Sequence, residues 1–478
     1  MAQRCGLRAL TISVMVSFAI SYRITRMSGP SFGLFSSRPK MIVAAESSET
    51  VIGIVGGGTV GGGIVEILSS RAPMLHSSLG LTVNIAKVCV KDKSKKRDFV
   101  LPAGCEVVED VEDILNDESI QLVVEVMGGT GLAKDVVTRA ITSGKHVVTA
   151  NKALIAQDLP ELQALVSKTN ADRVVPIQFG FEAAVCGGIP IIHALQRDFL
   201  ADDVIQLSGI INGCTNFILS NMESGGKSYS EALKEASKLG YAEADPTLDV
   251  GGFDARSKLR ILIKLAFGYD VAEDEIPVRG ITEVTSTDFE YARLQGGTVK
   301  LLGVAKLDKP GGCRISAFVS PVFVSEKNTL ASINGATNAV QIASQSMANS
   351  VFVGQGAGRF PTANSCVSDI LDICQGTSAM PFPKSTPPGM KFVNSYTSAF
   401  YVRIRFRDGV GIIQSLGEIF AASGVSIFAI LQNPIANRND AQFVVTTDPV
   451  DVSKIKQACV ALEATEWCLG DTFWMPVL

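Results

Sequence analysis

Residues 51–61 of the chain read VIGIVGGGTVG, a short β-branched run that leads directly into a glycine-rich turn. The residues after this turn place apolar side chains at the spacing of a helix, at Ile64, Val65, Ile67 and Leu68. A turn between a strand and a helix in this order presents backbone N–H groups to a phosphate. The stretch therefore predicts a dinucleotide-binding turn in a parallel α/β sheet, and a glycine turn without a ligand is the alternative.

The glycines of this turn serve different purposes. Gly56 allows the tight turn, Gly58 lets the backbone approach a pyrophosphate, and Gly61 lets the helix pack closely on the strand. Thr59 and Val60 lie between the last two of these glycines, at the start of the predicted helix. We therefore expect all five residues to lie at the cofactor.

A basic run follows the second predicted strand, which spans residues 81–90. The run reads KDKSKKR over residues 91–97. Enzymes selective for NAD commonly carry an acidic residue here for the ribose hydroxyl group, whereas basic side chains neutralise the 2′-phosphate of NADP. We therefore predict NADP as the cofactor, with NAD as the alternative, and Lys91 as a cofactor contact. A solvated charged loop that includes Asp92 is the competing interpretation.

Two more predicted strands, at residues 122–126 and 146–149, end in turns of polar or small residues. Ligands of an open parallel sheet lie beyond the carboxyl ends of its strands, so both turns should face the cofactor. Met127 and Gly128 follow the first of these strands, and Lys152 follows the second. Lys152 could bind a carbonyl oxygen or carry a proton at the nicotinamide end of the crevice, and a surface lysine is the alternative.

The composition favours a globular protein that acts on small molecules. The chain has 478 residues, 46% hydrophobic and 19% charged, and its net charge of −4 provides no basic surface for nucleic acid. The histidines, His76, His146 and His193, are scattered, which argues against a zinc site or histidine-based nucleophilic catalysis. Ten cysteines without a CxxC pair indicate reduced thiols, and Cys214 is interpreted as a small apolar residue.

The first 45 residues have the composition of a targeting peptide, with six basic residues, seven serines and no Asp or Glu. The apolar run at residues 9–20 is shorter than the roughly 20 residues that a membrane-spanning helix needs, so no membrane anchor is predicted. We predict a plastid (chloroplast) address, with mitochondrial entry, secretory entry and a cytoplasmic location as alternatives.

Four carboxylates lie within twelve positions, at Glu243, Asp245, Asp249 and Asp254. Such crowding is unfavourable without cationic partners or a cationic ligand, and the ammonium group of an amino acid would serve. Asp254 and Lys258 are four residues apart at the start of a helix predicted over residues 255–267, so they share a face and can form a hydrogen bond. A plain surface ion pair is the alternative.

Six colinear blocks of the sequence carry a resemblance to a known enzyme family, at residues 53–61, 149–153, 181–190, 209–219, 239–258 and 354–365. The chain closely resembles homoserine dehydrogenase over about residues 50–375. The resemblance implies NAD(P)-dependent interconversion of L-homoserine and L-aspartate 4-semialdehyde, a step toward threonine, methionine and isoleucine.

The resemblance also implies roles for residues of the site. Lys258 is then the leading acid/base, and Lys152 is a second catalytic lysine that bridges the substrate and the nicotinamide. Asp254 lies beside the group being converted, Glu243 holds the amino group of the substrate, and Asp249 belongs to the same substrate site. Which lysine carries the proton stays open.

Two further sites are implied by the resemblance. Gly358 lies near the cofactor, in a segment that returns to the nucleotide domain. A monovalent cation such as sodium is bound mainly by backbone carbonyls, those of Glu182, Val185, Gly187 and Ile189. A glycine-rich turn that only shapes the crevice is the alternative to the cation site.

We predict an α/β fold with several domains. Residues 49–190 form a Rossmann-type dinucleotide-binding domain that is discontinuous and is completed by residues 351–375, and residues 191–350 form an α+β domain for substrate binding and dimerisation. Residues 1–48 are the targeting peptide. Residues 376–396 are rich in proline, glycine and serine and form a linker.

The last predicted domain spans residues 397–478 and resembles an ACT domain. Its βαββαβ order carries the sequence RDGVGI, residues 407–412, at the first turn between strand and helix. ACT domains commonly dimerise through sheet edges and bind amino acids at this turn, so a homo-oligomer, dimer or tetramer, and feedback control by L-threonine are expected. A dimerisation module without a ligand is the alternative, because Gly409 replaces the proline common at this turn.

Two other functions stay open at this point. One is an amino-acid-sensing protein whose dehydrogenase part is inactive, although the presence of Lys152, Glu243, Asp254 and Lys258 argues against it. The other is an NAD(P)-dependent dehydrogenase for a related amino-acid aldehyde, which would hold the amino and carboxylate groups differently.

Overall fold

The computed structural model describes residues 48–242 and 245–478, and its first sheet consists of parallel strands. These strands are β1 (Ser48–Val55), β2 (Leu81–Cys89), β3 (Glu106–Val108), β4 (Leu122–Glu125), β5 (His146–Thr149) and β6 (Phe179–Gly180). Their order is β3-β2-β1-β4-β5-β6, which confirms the predicted parallel α/β sheet. The helices between them are α1 (Thr59–Leu79), α2 (Glu112–Leu115), α3 (Gly131–Thr142) and α4 (Lys152–Asn170).

The central strands of this sheet have apolar side chains on both faces because both faces are covered. Val123 and Val147 belong to the hydrophobic cluster on one face, and Ile52 and Val124 belong to the cluster on the other face. Continuous apolar runs of this kind are typical of parallel strands between two layers of helices. The covered faces leave the carboxyl ends of the strands as the edge where polar groups can gather.

A second, mixed sheet follows in the chain. The first elements of this part of the chain are α5 (Ile191–Gln196), β7 (Val204–Ile210), α6 (Gly213–Gly225), α7 (Tyr229–Lys238), α8 (Thr247–Val250), α9 (Phe253–Phe267) and α10 (Ser286–Leu294). The remaining elements are β8 (Gly297–Leu307), β9 (Arg314–Ser325), β10 (Thr337–Ser344), β11 (Ala348–Gln355), α11 (Arg359–Cys374) and β12 (Lys391–Phe392). The strand order is β11-β10-β7-β8-β9-β12, antiparallel except for the parallel pair of β9 and β12.

The chain was predicted to return to the nucleotide domain from residue 351, but it returns only after residue 355. Residues up to Gln355 belong to β11, which pairs with β10 from Ser344 opposite Ala348 to Thr337 opposite Gln355. The hairpin therefore keeps residues 351–355 in the second sheet. The return is made by α11, which packs on α1. The two helices lie so close that a Cβ added at Gly63 would be 2.9 Å from the Cβ of Ala363.

The predicted linker at residues 376–396 is partly ordered structure. Lys391 and Phe392 form β12 and extend the second sheet. Phe382 is buried, with its ring stacked at 5.3 Å from that of Phe181. Phe382 packs on the first domain, and β12 pairs with β9 of the second domain. The segment is therefore packed against both domains rather than acting as a free spacer.

The C-terminal module, residues 397–478, follows the predicted βαββαβ order. Its elements are β13 (Thr397–Ser398), β14 (Phe400–Phe406), α12 (Ile412–Ala422), β15 (Ile427–Leu431), β16 (Ala441–Thr447), β17 (Val450–Asp451), α13 (Val452–Glu463) and β18 (Phe473–Pro476). The main sheet is antiparallel in the order β15-β16-β14-β18, and β13 pairs with β17. Within the described residues, every helix is too short or too polar to cross a membrane.

A buried ion pair joins the C-terminal module to α10. Asp288 of α10 is fully buried and forms an ion pair with Arg403 of β14. The hydroxyl of Tyr401 donates to the same carboxylate at 2.8 Å, and so does the backbone N–H of Thr285 at 2.8 Å. Burial raises the pKa of Asp288 and the Arg403 guanidinium opposes this rise. The module is thus fixed to the second domain by a carboxylate whose hydrogen-bond acceptors are all occupied by defined donors.

Replacing Arg403 tests how much this ion pair contributes to stability. Arg403→Met leaves the Asp288 carboxylate buried without its cation, and we expect the free energy of unfolding to fall by about 3–5 kcal/mol. Arg405→Met is the matched control, because Arg405 of the same strand pairs with Asp440 at the surface, where the loss should stay below about 1 kcal/mol. Chemical denaturation measures both values, and equal losses would contradict the assignment.

Candidate active site

A crevice of about 440 Å³ lies at the carboxyl ends of β1, β2 and β4. It is lined by Val55, Gly56, Gly57, Gly58, Cys89, Val90, Lys91, Asp92, Lys95, Arg97, Glu109, Val111, Val126, Met127, Gly128 and Leu132. Five residues predicted as cofactor contacts are therefore brought together in one place, namely Gly56, Gly58, Lys91, Met127 and Gly128. Thr59 and Val60 begin α1 beside this crevice, whereas Gly358 precedes α11 and is not among the lining residues.

The glycine turn has the geometry that a phosphate needs. Gly56 has a φ of +118°, which an L side chain rarely adopts. A Cβ on Gly61 would lie 1.9 Å from the carbonyl oxygen of Gly56, so α1 can start this close to the turn only with glycine there. Gly58 caps α1 without a side-chain hydrogen bond, and among the described residues no atom lies within 4 Å of the position its Cβ would take. The N–H groups at the start of α1 thus face open space suited to a pyrophosphate.

The basic run after β2 brings Arg97 to the crevice as well as Lys91. Arg97 donates to the backbone carbonyl of Asp92 at 2.8 Å, and its Nε is buried without a partner among the described residues. The Nε lies 3.4 Å from the position a Cβ on Gly57 would take. Lys91 was predicted as a cofactor contact from its position directly after β2. Arg97 was not distinguished within the run, since only the fold of the loop places this guanidinium over the glycine turn.

Asp254 lies between the two lysines that the sequence analysis singled out. Lys258 donates to its Oδ2 at 2.8 Å, and Lys152, which begins α4, forms an ion pair with its Oδ1. Asp254 and Lys258 are buried, whereas the side chain of Lys152 is 47% exposed. The predicted contact of Asp254 with Lys258 thus forms in the interior, and the interpretation as a surface ion pair is wrong.

The charges of this group stabilise each other. Burial by itself would raise the pKa of Asp254, but the ammonium groups of Lys258 and Lys152 lower it well below the usual range. Burial would lower the pKa of Lys258, yet the Asp254 carboxylate raises it above its ordinary value of 10.5. Asp254 also lies in the first turn of α9, where the helix dipole favours an anion. At neutral pH the site therefore contains an ionised carboxylate and a protonated buried lysine.

Lys152 is oriented by polar groups at the ends of β4 and β5. Asn151 caps α4, accepting from the backbone N–H of Leu154 at 3.1 Å, and donates to the carbonyl of Gly129 at 2.6 Å. The hydroxyl of Thr149 donates at 2.6 Å to the buried carboxylate of Glu125. These contacts tie the two strand ends together and place Lys152 at the same edge of the sheet as the glycine turn.

The acidic segment before α9 is described only in part. Glu243, the predicted partner of the substrate amino group, lies outside the described residues. Asp249 of α8 is partly buried, which raises its pKa, and the nearby Asp254 carboxylate raises it further. Its Oδ1 accepts a hydrogen bond at 2.7 Å from the amide of Asn212, which also donates to Asp254. Asn212 was missed from the sequence, although its position before Gly-Cys-Thr is typical of a helix N-cap.

The turn predicted to bind a monovalent cation lies between β6 and α5. A short 3₁₀ helix spans Glu182–Ala184, and both Cys186 and Gly187 then have positive φ angles, +54° and +33°. A Cβ on Gly187 would lie 2.7 Å from the carbonyl oxygen of Gly356, so the segment after β11 holds the turn in place. Positive φ at a residue other than glycine is uncommon and indicates a constrained turn.

The ligands available in this turn are main-chain oxygens. The side chain of Glu182 is occupied by the backbone N–H groups of Ile192 at 3.1 Å and His193 at 2.6 Å. Burial raises its pKa to about 7, against the opposing effect of His193. The carbonyl of Gly187 accepts from Ser365, which leaves one lone pair free. In the described part of the chain, no group of three or more His, Cys, Asp and Glu side chains is arranged to hold a metal ion.

Two other predicted features have clear positions. Cys214 is buried, and burial raises the pKa of its thiol to about 12, in agreement with a packing role rather than a nucleophile. In the C-terminal module, a pocket of about 260 Å³ lies at the turn after β14. It is lined by Phe406, Asp408, Gly409, Gly411, Ile412, Ile413, Gln414, Gln432 and Phe443.

Comparison with known proteins identifies the family. The sequence profile of homoserine dehydrogenase matches residues 190–371, and that of the homoserine dehydrogenase NAD binding domain matches residues 56–176. Homoserine dehydrogenase of Neisseria gonorrhoeae is 37% identical over 425 residues, covering 87% of this chain and 95% of that protein. The chain belongs to the homoserine dehydrogenase family. It is therefore an NAD(P)-dependent oxidoreductase, as the resemblance of its sequence blocks predicted.

Solved structures of homoserine dehydrogenases have the same fold. The crystal structure of the enzyme from Thiobacillus denitrificans superposes with a TM-score of 0.82 at 32% identity, covering 90% of this chain and 98% of that one. A hyperthermophilic archaeal homoserine dehydrogenase in complex with NADPH gives a TM-score of 0.56 at 25% identity, covering 69% of this chain and 98% of that one. The agreement with the first structure extends over the C-terminal part of the chain as well as the two sheets before it.

A single methyl group should disturb the glycine turn of this homoserine dehydrogenase. Gly61→Ala places a Cβ against the Gly56 carbonyl, so the turn must open, and we expect the Kd for NADPH to rise at least about tenfold. Gly417→Ala, the same change in α12, meets no atom within 4 Å and should leave the Kd unchanged. Fluorescence titration with NADPH measures both, and wild-type affinity in Gly61→Ala would show that the turn does not contact the cofactor.

Proposed function

We propose that this homoserine dehydrogenase reduces L-aspartate 4-semialdehyde to L-homoserine at the Lys152–Asp254–Lys258 group. The observation that carries the proposal is the buried Asp254 carboxylate, which accepts hydrogen bonds from both lysines at the sheet edge that faces the cofactor crevice. Hydride transfer to the carbonyl carbon is the chemistry that a nicotinamide supplies when bound. The residues of the chain must then place the substrate and supply a proton.

Lys258 is the proposed proton donor. Its ammonium has three N–H bonds, and the described residues accept two of them, at the carbonyl of Ile211 and the carboxylate of Asp254, both at 2.8 Å. The third can point to the oxygen of the substrate. Because its pKa is raised, Lys258 carries a proton at neutral pH, which suits protonation of the alkoxide that forms during reduction.

Lys152 is proposed to bridge the substrate and the nicotinamide. It shares Asp254 with Lys258 but is half exposed, so its ammonium lies on the solvent side of the carboxylate. Asp254 thereby holds the two cations close together. Glu243 and Asp249 are proposed to bind the ammonium group of the substrate, since the raised pKa of Asp249 would be lowered by a cation beside it.

We further propose NADP as the preferred cofactor. Arg97, Lys91 and Lys95 line the crevice beyond β2, where a 2′-phosphate would lie. The archaeal relative was solved in complex with NADPH. Gly56, Gly58, Thr59, Val60 and Gly61 would hold the pyrophosphate, and Met127, Gly128 and Lys152 would flank the nicotinamide, with Gly358 approaching from α11.

A monovalent cation such as sodium is proposed at the turn after β6. Carbonyl oxygens suit a hard cation, and the constrained backbone at Cys186 and Gly187 turns successive carbonyls in different directions. The carbonyls of Glu182, Val185, Gly187 and Ile189 would provide the ligands. The cation would then stabilise the turn that joins the two domains rather than take part in the chemistry.

The C-terminal module is proposed to be an ACT domain that binds L-threonine. The pocket at the turn after β14 has a size suited to an amino acid and is lined by Asp408 and Gln432. A homo-oligomer is supported by exposed apolar side chains on free edge strands, Phe428 of β15 and Val353 of β11. The composition of residues 1–45 supports delivery to a plastid.

Steady-state oxidation of L-homoserine by the chain from residue 46 onward tests the activity and the role of Lys258. We expect Lys258→Met to lower kcat at least about 100-fold, because the hydroxyl proton of L-homoserine then has no lysine amine to accept it. Lys264→Met changes another buried lysine of α9, which pairs with Asp270 and should retain most of the activity. L-Threonine should inhibit the wild-type enzyme in the same assay.

The outcomes of this assay separate the possible functions. A folded wild-type protein that binds NADPH but does not oxidise L-homoserine would overturn the enzyme assignment and favour an amino-acid sensor. Turnover of a different amino-acid aldehyde in preference to the semialdehyde would favour the related dehydrogenase. Full activity in Lys258→Met would assign the proton to another group.

Cofactor preference provides a separate test. We expect Arg97→Ser to raise the KM for NADP about tenfold or more and the KM for NAD less than about twofold, because a charge-assisted contact to phosphate is lost. Lys96→Ser is the control, since Lys96 neighbours Arg97 in the run but does not line the crevice. If both cofactors respond equally to Arg97→Ser, the guanidinium does not recognise the 2′-phosphate.

A further inference from the structure

Asn212 occupies a position between the two carboxylates of the site. It follows β7, caps α6, and is only 5% exposed. Its Nδ2 lies 2.7 Å from Oδ1 of Asp249 and 2.8 Å from Oδ2 of Asp254. One amide group therefore donates both of its N–H bonds, one to each carboxylate.

The orientation of this amide follows from its other contacts. Its Oδ1 accepts from the backbone N–H of Thr215 at 2.9 Å and from the hydroxyl of the same residue at 3.0 Å. A backbone N–H can only donate, so the oxygen of the amide must face α6. The NH₂ group must then face Asp249 and Asp254, and ionised carboxylates can only accept.

Contacts with a neighbouring loop fix the backbone that follows Asn212. The next residue, Gly213, has no room for a side chain, because a Cβ there would lie 2.7 Å from the carbonyl oxygen of Ala336. Asn216, one turn further along α6, donates to the carbonyl of Gly335 at 2.9 Å. The buried Lys300 donates to the carbonyl of Ile333 at 2.8 Å in the same loop. The loop at residues 333–337 thus fixes the start of α6 against the second sheet.

We propose that Asn212 is a positioning residue for the dehydrogenase reaction, which aims Asp254 at Lys258 and lets Asp249 and Asp254 remain ionised side by side. This inference rests on the proposed function of that site. Two neighbouring carboxylates repel each other, and a shared pair of N–H donors reduces the repulsion without adding a charge. The amide contacts Oδ2 of Asp254, so that Oδ1 of the same carboxylate is available to Lys152.

Substitution by Asp and by Ser separates this role from the capping role. Both residues are good N-caps, so α6 keeps its hydrogen bond to the N–H of Thr215 in either variant. Asn212→Ser removes the amide NH₂ group that contacts both carboxylates, without adding a charge. Asn212→Asp is nearly isosteric and replaces the donors with a third carboxylate.

The electrostatic surroundings of the new carboxylate set its expected pH dependence. It would face Asp249 from α8, Asp254 and Lys258 from α9, Lys152 from α4, and the neutral thiol of Cys214 on its own helix. The two carboxylates are its nearest neighbours, and both lysines already pair with Asp254. The added carboxyl should therefore take up a proton as the pH falls, and its protonated form can donate one hydrogen bond again.

The test compares kcat and KM for L-homoserine in wild type, Asn212→Ser and Asn212→Asp between pH 6 and pH 8.5. We expect Asn212→Ser to lower kcat about 10- to 100-fold at every pH, because hydrogen bonds to charged groups are lost. At pH 8.5, the kcat of Asn212→Asp should be about tenfold lower than that of Asn212→Ser. The kcat of Asn212→Asp divided by the kcat of Asn212→Ser should rise at least about fivefold between pH 8.5 and pH 6.

Controls distinguish the possible failures. Asn328→Asp, the same change at the N-cap before Thr329, should leave kcat unchanged at all pH values. Thermal unfolding of the variants checks that the α6 cap is retained, and if Asn212→Asp does not fold, Asn212→Ser alone decides. Wild-type kcat in Asn212→Ser, or a ratio that does not change with pH, would overturn the proposal while the activity of the wild type stands. Absence of activity in the wild type would overturn the proposed function and this inference together.

Discussion

The need to neutralise one buried carboxylate organises the whole site. Asp254 is almost completely removed from solvent, so its charge is tolerated only because Lys258, Lys152 and Asn212 contact it. Lys258 on α9 and Asn212 after β7 belong to the second domain, whereas Lys152 begins α4 of the first domain. The proposed catalytic group can therefore form only when both domains fold and meet, and the Asp254 carboxylate that stabilises the contact also raises the pKa of Lys258.

The same physical device joins the C-terminal module to the rest of the chain. Asp288 is even more completely buried than Asp254 and likewise contacts partners from another domain. Two hydrogen bonds connect this junction with the acidic segment before α9. Arg279 donates to the carbonyl of Trp474 at 2.6 Å, and the backbone N–H of Ile281 donates to the carbonyl of Val250 at 2.9 Å. The module thus rests on a segment whose other side supports α8, the helix that carries Asp249.

Local sequence patterns predicted the elements better than the contacts between them. The strand predicted at residues 146–149 matches β5, and the glycine turn lies where the strand, turn and helix pattern placed it, because both depend on neighbouring residues. The ion pair of Lys152 and Asp254 spans 102 residues of sequence, so no periodicity encodes it, and only the family resemblance brought the two together. Asn212 and Arg97 were overlooked because their roles depend on which distant groups face them. β11 extends past residue 350, the predicted end of the second domain, because hairpin pairing, rather than residue type, determines where the strand ends.

Asp254 is proposed to hold two lysines on the reacting oxygen of the substrate. A crystal structure of the enzyme with NADP and L-homoserine measures this directly. The account predicts that the hydroxyl oxygen of L-homoserine lies within hydrogen-bond distance of Nζ of Lys258, with Nζ of Lys152 next to it and the substrate ammonium between Glu243 and Asp249. A hydroxyl group directed away from both lysines, with another residue in contact with it, would contradict the account.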